Sequence, residues 1–150
     1  MKKILIANRG EIAIRIARTC NDLGIKTIGV FSEDDLNSLH LSKMDESFMI
    51  DEKGASAYLN IKKIIEIAKS EKVDGIHPGY GFLSENPEFA KSAKRARIKF
   101  IGPSEKSLMT FGDKSEAKQL ATRLDIPVVR GTQGKTSLKQ ASTFFKGLKK

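Results

Sequence analysis

The chain has 150 residues, 27 lysines and arginines against 18 aspartates and glutamates, a formal net charge of +9 and one cysteine. That length can bury a self-standing core, and the composition excludes intrinsic disorder, a disulfide framework and a cysteine-rich zinc site. No apolar run reaches the roughly 18 residues of a membrane span, residues 4–7 are too short for a signal peptide before Arg9 interrupts them, and the lone thiol fits a reducing, cytoplasmic setting.

Residues 3–7 (KILIA) form a nearly continuous apolar run, the pattern of a strand buried on both faces. Residues 11–23 carry apolar side chains at 12, 13, 14, 16, 17, 20 and 23, which predicts a helix with one wide buried face, closed by Gly24. Cys20 lies on that apolar side and reads as a buried structural thiol. A second strand is expected over 26–31 (KTIGVF) and a weaker third over 47–50 (SFMI). A helix over 60–70 would turn Ile61, Ile64, Ile65, Ile67 and Ala68 inward. A short strand at 75–77 and a helix over 86–97 follow, the helix with Pro87 at its favoured first position. A strand at 99–102, helices at 104–110 and 113–124, a last strand at 126–129 and a last helix at 137–148 complete the reading. The apolar side of that last helix is expected to be poorly anchored.

Strands alternating with helices predict an α/β fold, a mostly parallel sheet with helices on both faces. Ligands on such sheets bind beyond the carboxyl ends of the strands, so the loops at 8–10, 31–35 and 77–85 are the ones to inspect. The first, Asn8-Arg9-Gly10-Glu11, lacks the three glycines of a dinucleotide fingerprint, and Glu11 puts negative charge at a helix N-terminus. An NAD or FAD site is therefore not expected there. The last, residues 77–86 (HPGYGFLSEN), concentrates two glycines, a proline, an aromatic ring and a carboxylate. Gly79 and Gly81 permit backbone shapes and close approach that other residues resist. Its alternative is a tight turn with Tyr80 and Phe82 packed inward.

Arg15, Arg18 and Asp22 share a stripe of the first helix, either a solvated face or a self-complementary dimer surface. Lys114 follows a good N-cap, Asp113, and a cation in a first helical turn opposes the helix dipole. It is either a plain exposed lysine or the ligand of an anion. His40 and His77 have no cluster of metal ligands around them. Residues 1–90 hold 12 basic and 14 acidic groups, residues 91–150 hold 15 and 4. The basic run at 91, 94, 95, 97 and 99 lacks interleaved aromatics, so a nucleic-acid partner is not expected.

Five blocks, residues 3–16 (KILIANRGEIAIRI), 56–60 (SAYLN), 77–86 (HPGYGFLSEN), 100–103 (FIGP) and 112–114 (GDK), appear in order along essentially the whole chain. Together they resemble the N-terminal region of biotin carboxylase, the ATP-grasp subunit or domain of acetyl-CoA, propionyl-CoA and pyruvate carboxylases. The resemblance implies a Rossmann-like preATP-grasp domain over 1–112 and the opening of the ATP-grasp domain over 113–150. It implies a ligase that uses ATP, Mg²⁺ and bicarbonate, through carboxyphosphate, to carboxylate biotin on a carboxyl carrier protein, with a carboxyltransferase as a further partner. By position, Lys114 matches a lysine contacting ATP phosphate, and Tyr80, Gly81 and Glu85 match the biotin cleft. Arg15, Arg18 and Asp22 match a homodimer stripe, with Asp22 where a longer glutamate is usual. No catalytic or metal-binding residue of the family falls within these residues. The 150-residue chain alone is thus expected to be inactive and to bind no cofactor tightly; the alternative is a stand-alone binding or dimerisation module on the same fold.

Overall fold

The computed structural model describes residues 1–132 and 136–148. They divide into two compact units, Met1–Glu105 and Lys106–Lys150.

The first unit is an α/β layer structure around a five-stranded, wholly parallel sheet. Its strands are β1 (Lys3–Ile6), β2 (Lys26–Ser32), β3 (Glu46–Ile50), β4 (Gly75–His77) and β5 (Lys99–Phe100), in spatial order β3-β2-β1-β4-β5. The helices are α1 (Gly10–Asp22), α2 (Ala55–Leu59), α3 (Ile61–Ser70) and α4 (Pro87–Arg95).

Successive side chains of a strand point to opposite faces, and β1 uses both. Ile4 and Ile6 pack with Ala13, Ile16, Ala17 and Cys20 of α1. Leu5 and Ala7 turn the other way, into a larger core with Ala57, Tyr58, Ile64, Ala68, Phe89 and Ala93 from α2, α3 and α4. Helices on both faces explain why the run KILIA is apolar throughout. Full burial of residues such as Leu5, Ile6, Ile28 and Ile76 stabilises the fold by about 1.5–3 kcal/mol each. Burial also raises the pKa of the Cys20 thiol, the nearby Asp45 charge adding to the effect, so the sulfur is an inert core atom.

Two differences from the sequence reading lie in this unit. The helix expected over 60–70 forms as α3, with Asn60 as its cap accepting from the Lys63 amide at 2.9 Å, but a further short helix that the sequence reading lacks, α2, precedes it and ends against that cap. The link from β2 to β3 carries two 3-10 turns, Glu33–Asp35 and Leu41–Lys43.

The second unit holds α5 (Glu105–Gly112, entered from the last residue of the first unit), α6 (Lys114–Arg123) and α7 (Leu138–Gly147). The strand expected at 126–129 does not form. Pro127 has no amide to donate to a ladder, and every strand of the sheet lies in the first unit. α7 does form, closed by a reciprocal Ser137–Gln140 capping box, yet none of its residues is buried.

Candidate functional site

The chain runs β1-β2-β3 to one side of the sheet and returns to β4-β5 on the other. The reversal leaves a crevice beyond the carboxyl ends of β1 and β4, the place where open parallel sheets bind ligands. Asn8 leaves β1 there and is 2% exposed. Its side-chain amide donates to the carbonyls of Pro78 at 2.7 Å and Tyr80 at 2.9 Å, and its Oδ1 accepts from the Arg9 amide. One buried side chain thus clasps the loop that follows β4.

The clasp dictates the glycine at 79. Its φ is +68°, and a Cβ there would lie 2.5 Å from Asn8 Nδ2. Gly81 has φ +64° with open space on its Cβ side, so backbone conformation alone selects it. His77 Nδ1 accepts from the Gly79 amide at 3.0 Å, and burial lowers the pKa of the ring. The neutral imidazole is the form that closes this turn. Tyr80 is 63% exposed. It projects from the loop instead of packing inward, while Phe82 takes the inward position.

A second cluster braces the same loop. Asp35, just past β2, is reached by Arg9 Nη1 at 3.1 Å, Ser32 Oγ at 3.1 Å, Ser38 Oγ at 2.8 Å and the Tyr58 hydroxyl at 2.8 Å. Burial opposes its charge, but the hydrogen bonds from Tyr58, Ser38, Arg9 and Ser32 prevail and lower its pKa to about 2. Tyr58 is fully buried; burial and then the Asp35 carboxylate drive its own pKa upward, so it stays a donor. Its ring stacks on Phe82 with centroids 5.1 Å apart, and the Arg9 guanidinium lies 5.6 Å from the Tyr58 ring centre and 5.9 Å from that of Phe82. Neither Asp35 nor Tyr58 was singled out as a functional residue from the sequence. A signal existed for each: Asp35 directly follows a strand's carboxyl end, and Tyr58 sits in the SAYLN block.

The expected site residues fall in three places. Tyr80, Gly81 and Glu85 share the loop after β4, all exposed. Arg15, Arg18 and Asp22 line the exposed side of α1. Arg15 and Arg18 border a groove of about 630 Å³ with Gly10, Ser38 and His40. His40 is 1% exposed with neither ring nitrogen hydrogen-bonded among the described residues; burial lowers its pKa against the pull of Asp35. Lys114, exposed, opens α6 beside Asp113, whose carboxylate accepts from the Ser115 and Glu116 amides at 2.8 and 3.0 Å. Among the described residues no group of three or more His, Cys, Asp or Glu could hold a metal ion, and no helix is long and apolar enough to cross a membrane. Lys91 and Arg95 of the basic run reach Glu88 at 3.5 and 3.6 Å, as on a solvated helix face.

Residues 1–108 match the family described as biotin carboxylase, N-terminal domain. Pyruvate carboxylase from Staphylococcus aureus is 52% identical over 136 residues, 89% of this chain and 12% of that protein. Among solved structures, the biotin carboxylase domain of a single-chain bacterial carboxylase superposes with a TM-score of 0.94 at 43% identity, over 97% of this chain and 34% of that one. The biotin carboxylase domain dimer of Hydrogenobacter thermophilus 2-oxoglutarate carboxylase, in complex with MgADP, ADP and bicarbonate, gives 0.94 at 39% identity, over 97% of this chain and 32% of that one. The chain therefore spans about a third of such a domain and 12% of the pyruvate carboxylase. It belongs to the biotin carboxylase N-terminal domain family.

Proposed function

We propose that this chain is the N-terminal part of an ATP-dependent biotin carboxylase, a ligase that joins bicarbonate to biotin on a carrier. The observation that carries the reading is the family match over residues 1–108. The residues beyond it, with Lys114, would open the ATP-grasp domain, the boundary lying at 112.

In this reading the loop after β4 presents the reacting end of biotin to the rest of the site. The fit is supported by the exposed Tyr80 and Gly81 and by the open space beside Gly81 Cα. A planar ureido ring can approach backbone where no Cβ intervenes. Asn8 holds that backbone from beneath through the Pro78 and Tyr80 carbonyls, and Glu85 adds a carboxylate to the rim. Lys114 would hold an ATP phosphate: Asp113 already occupies the α6 amides, which leaves its ammonium to meet an anion as a point charge. ATP, when bound, supplies the phosphoryl group that activates bicarbonate. The described residues do not fit Mg²⁺, for want of a carboxylate cluster. Arg15, Arg18 and Asp22 would form a two-fold homodimer face, consistent with the dimer of the thermophilic neighbour. A biotin carrier and a carboxyltransferase would be its partners.

The test is to express the natural full-length polypeptide that carries this sequence and follow ATP cleavage with free biotin and bicarbonate. Cleavage stimulated by biotin, and a Km for ATP raised roughly tenfold by Lys114→Ala, are expected. No biotin stimulation in the wild type would overturn the reading.

A further inference from the structure

We infer that Asp35 and Tyr58 are positioning residues that fix the Tyr80–Gly81 turn through Phe82. The inference rests on the reading that this turn meets biotin. It assigns a task to two residues that never reach the loop's exposed face.

The argument starts at Phe82. Its φ is +40°, a conformation costly for a residue with a Cβ and retained only where the surroundings over-determine it. What over-determines it is the stack on Tyr58, at 5.1 Å and 25° between planes. Tyr58 cannot shift to follow a wandering Phe82, because its ring is fully buried and its hydroxyl donates to Asp35 Oδ2. Asp35 in turn is pinned from β2 and the turn after it by Ser32 and Ser38, and from the first loop by Arg9.

Gly81 therefore lies between two anchors. On one side Asn8 holds the Pro78 and Tyr80 carbonyls. On the other the Asp35–Tyr58 pair holds Phe82, and the Ser84 amide closes the turn onto the Gly81 carbonyl at 2.8 Å. A backbone gripped at both ends can present Tyr80 and Gly81 in one geometry, and misplacing such a contact surface costs affinity for what it touches. If Tyr58 served only to fill space, Phe at this position would be equivalent, since it keeps the ring and the stack.

Tyr58→Phe and Asp35→Asn in the full-length polypeptide separate the two. Positioning predicts that each raises the Km for free biotin roughly tenfold while the Km for ATP moves less than twofold. It also predicts that the double variant is no worse than either single, because both cut one chain of contacts. In parallel, hydrogen exchange of the Gly79 and Ser84 amides should accelerate about tenfold in both variants. A folded Tyr58→Phe protein with unchanged biotin Km, or equal losses for biotin and ATP, overturns the inference. If the wild type shows no biotin-stimulated ATP cleavage, the functional reading falls instead. The exchange measurement then decides alone whether Asp35 and Tyr58 hold the turn, unchanged protection counting against it.

Discussion

Met1–Glu105 and Lys106–Lys150 both contain helices but are held by different forces. The first unit buries Leu5, Ile28, Ile64, Ile76 and Phe89 completely. In the second, Leu108 is the one buried apolar side chain among the described residues, while Val129, Leu138 and Phe145 are 87%, 89% and 76% exposed. Its helices rest on local devices: the Asp113 cap and the Ser137–Gln140 box. Helices of this length are marginal on propensity and caps alone. Hydrophobic burial thus sets the stability of one unit and capping that of the other, and substitutions should sort accordingly.

The largest effect is expected at Phe89, fully buried and edge-on to Phe100 at 5.7 Å between centroids. Phe89→Ala should lower the unfolding free energy of the first unit by about 3–5 kcal/mol, read as a shift of the urea midpoint by circular dichroism. An unchanged midpoint would mean that the core is not what holds this unit.

Next comes pH. The folded pKa of Asp35, about 2, lies below its ordinary value of 3.8, so the native state favours the charged form. Its contribution is complete above pH 3.8 and is lost as the pH falls toward 2. The gap corresponds to about 2 kcal/mol. Asp35→Asn should therefore destabilise the unit at pH 7 and flatten the fall in stability between pH 4 and 2. A variant that keeps the wild-type acid slope would assign that slope to other carboxylates.

The first unit was largely legible because burial leaves a periodic mark. KILIA, the α1 stripe and KTIGVF each name a face, and the parallel order followed from their alternation with helices. The loop 77–86 stood out because glycine at 79 and 81 answers to backbone geometry that only glycine tolerates easily. What stayed hidden were contacts between segments distant in sequence. Asn8 reaches Pro78 and Tyr80, and Asp35 reaches Arg9 and Tyr58, and no local period encodes such pairs. The strand expected over 126–129 failed for the opposite reason: Ile, Val and Val supplied β propensity, but a strand also needs a neighbour, and Pro127 removes a donor. The short helix α2 was missed because its five residues, Ala55–Leu59, are too few to show a helical period.

Smaller effects test the second unit. Asp113 is the N-cap of α6, accepting from two amides. Asp113→Ala should cost about 1 kcal/mol of helix stability, seen as faster hydrogen exchange along α6, with the urea midpoint of the first unit unmoved. Loss of the first unit's midpoint would contradict the separation of the two.

Phe145 should do least of all. A phenylalanine in a folded core answers truncation with several kcal/mol, as expected of Phe89, because the removed ring leaves a cavity and forfeits dispersion contacts. At 76% exposure Phe145 has most of its ring already in water, so truncation removes little buried area and opens no cavity. Phe145→Ala is expected to change stability by less than about 0.5 kcal/mol, with alanine's better helix propensity working against any loss. The two phenylalanines thus form one experiment, the same chemical deletion in each unit. A cost at Phe145 approaching that at Phe89 would mean that α7 is held by burial after all, and the contrast between the units would fail with it.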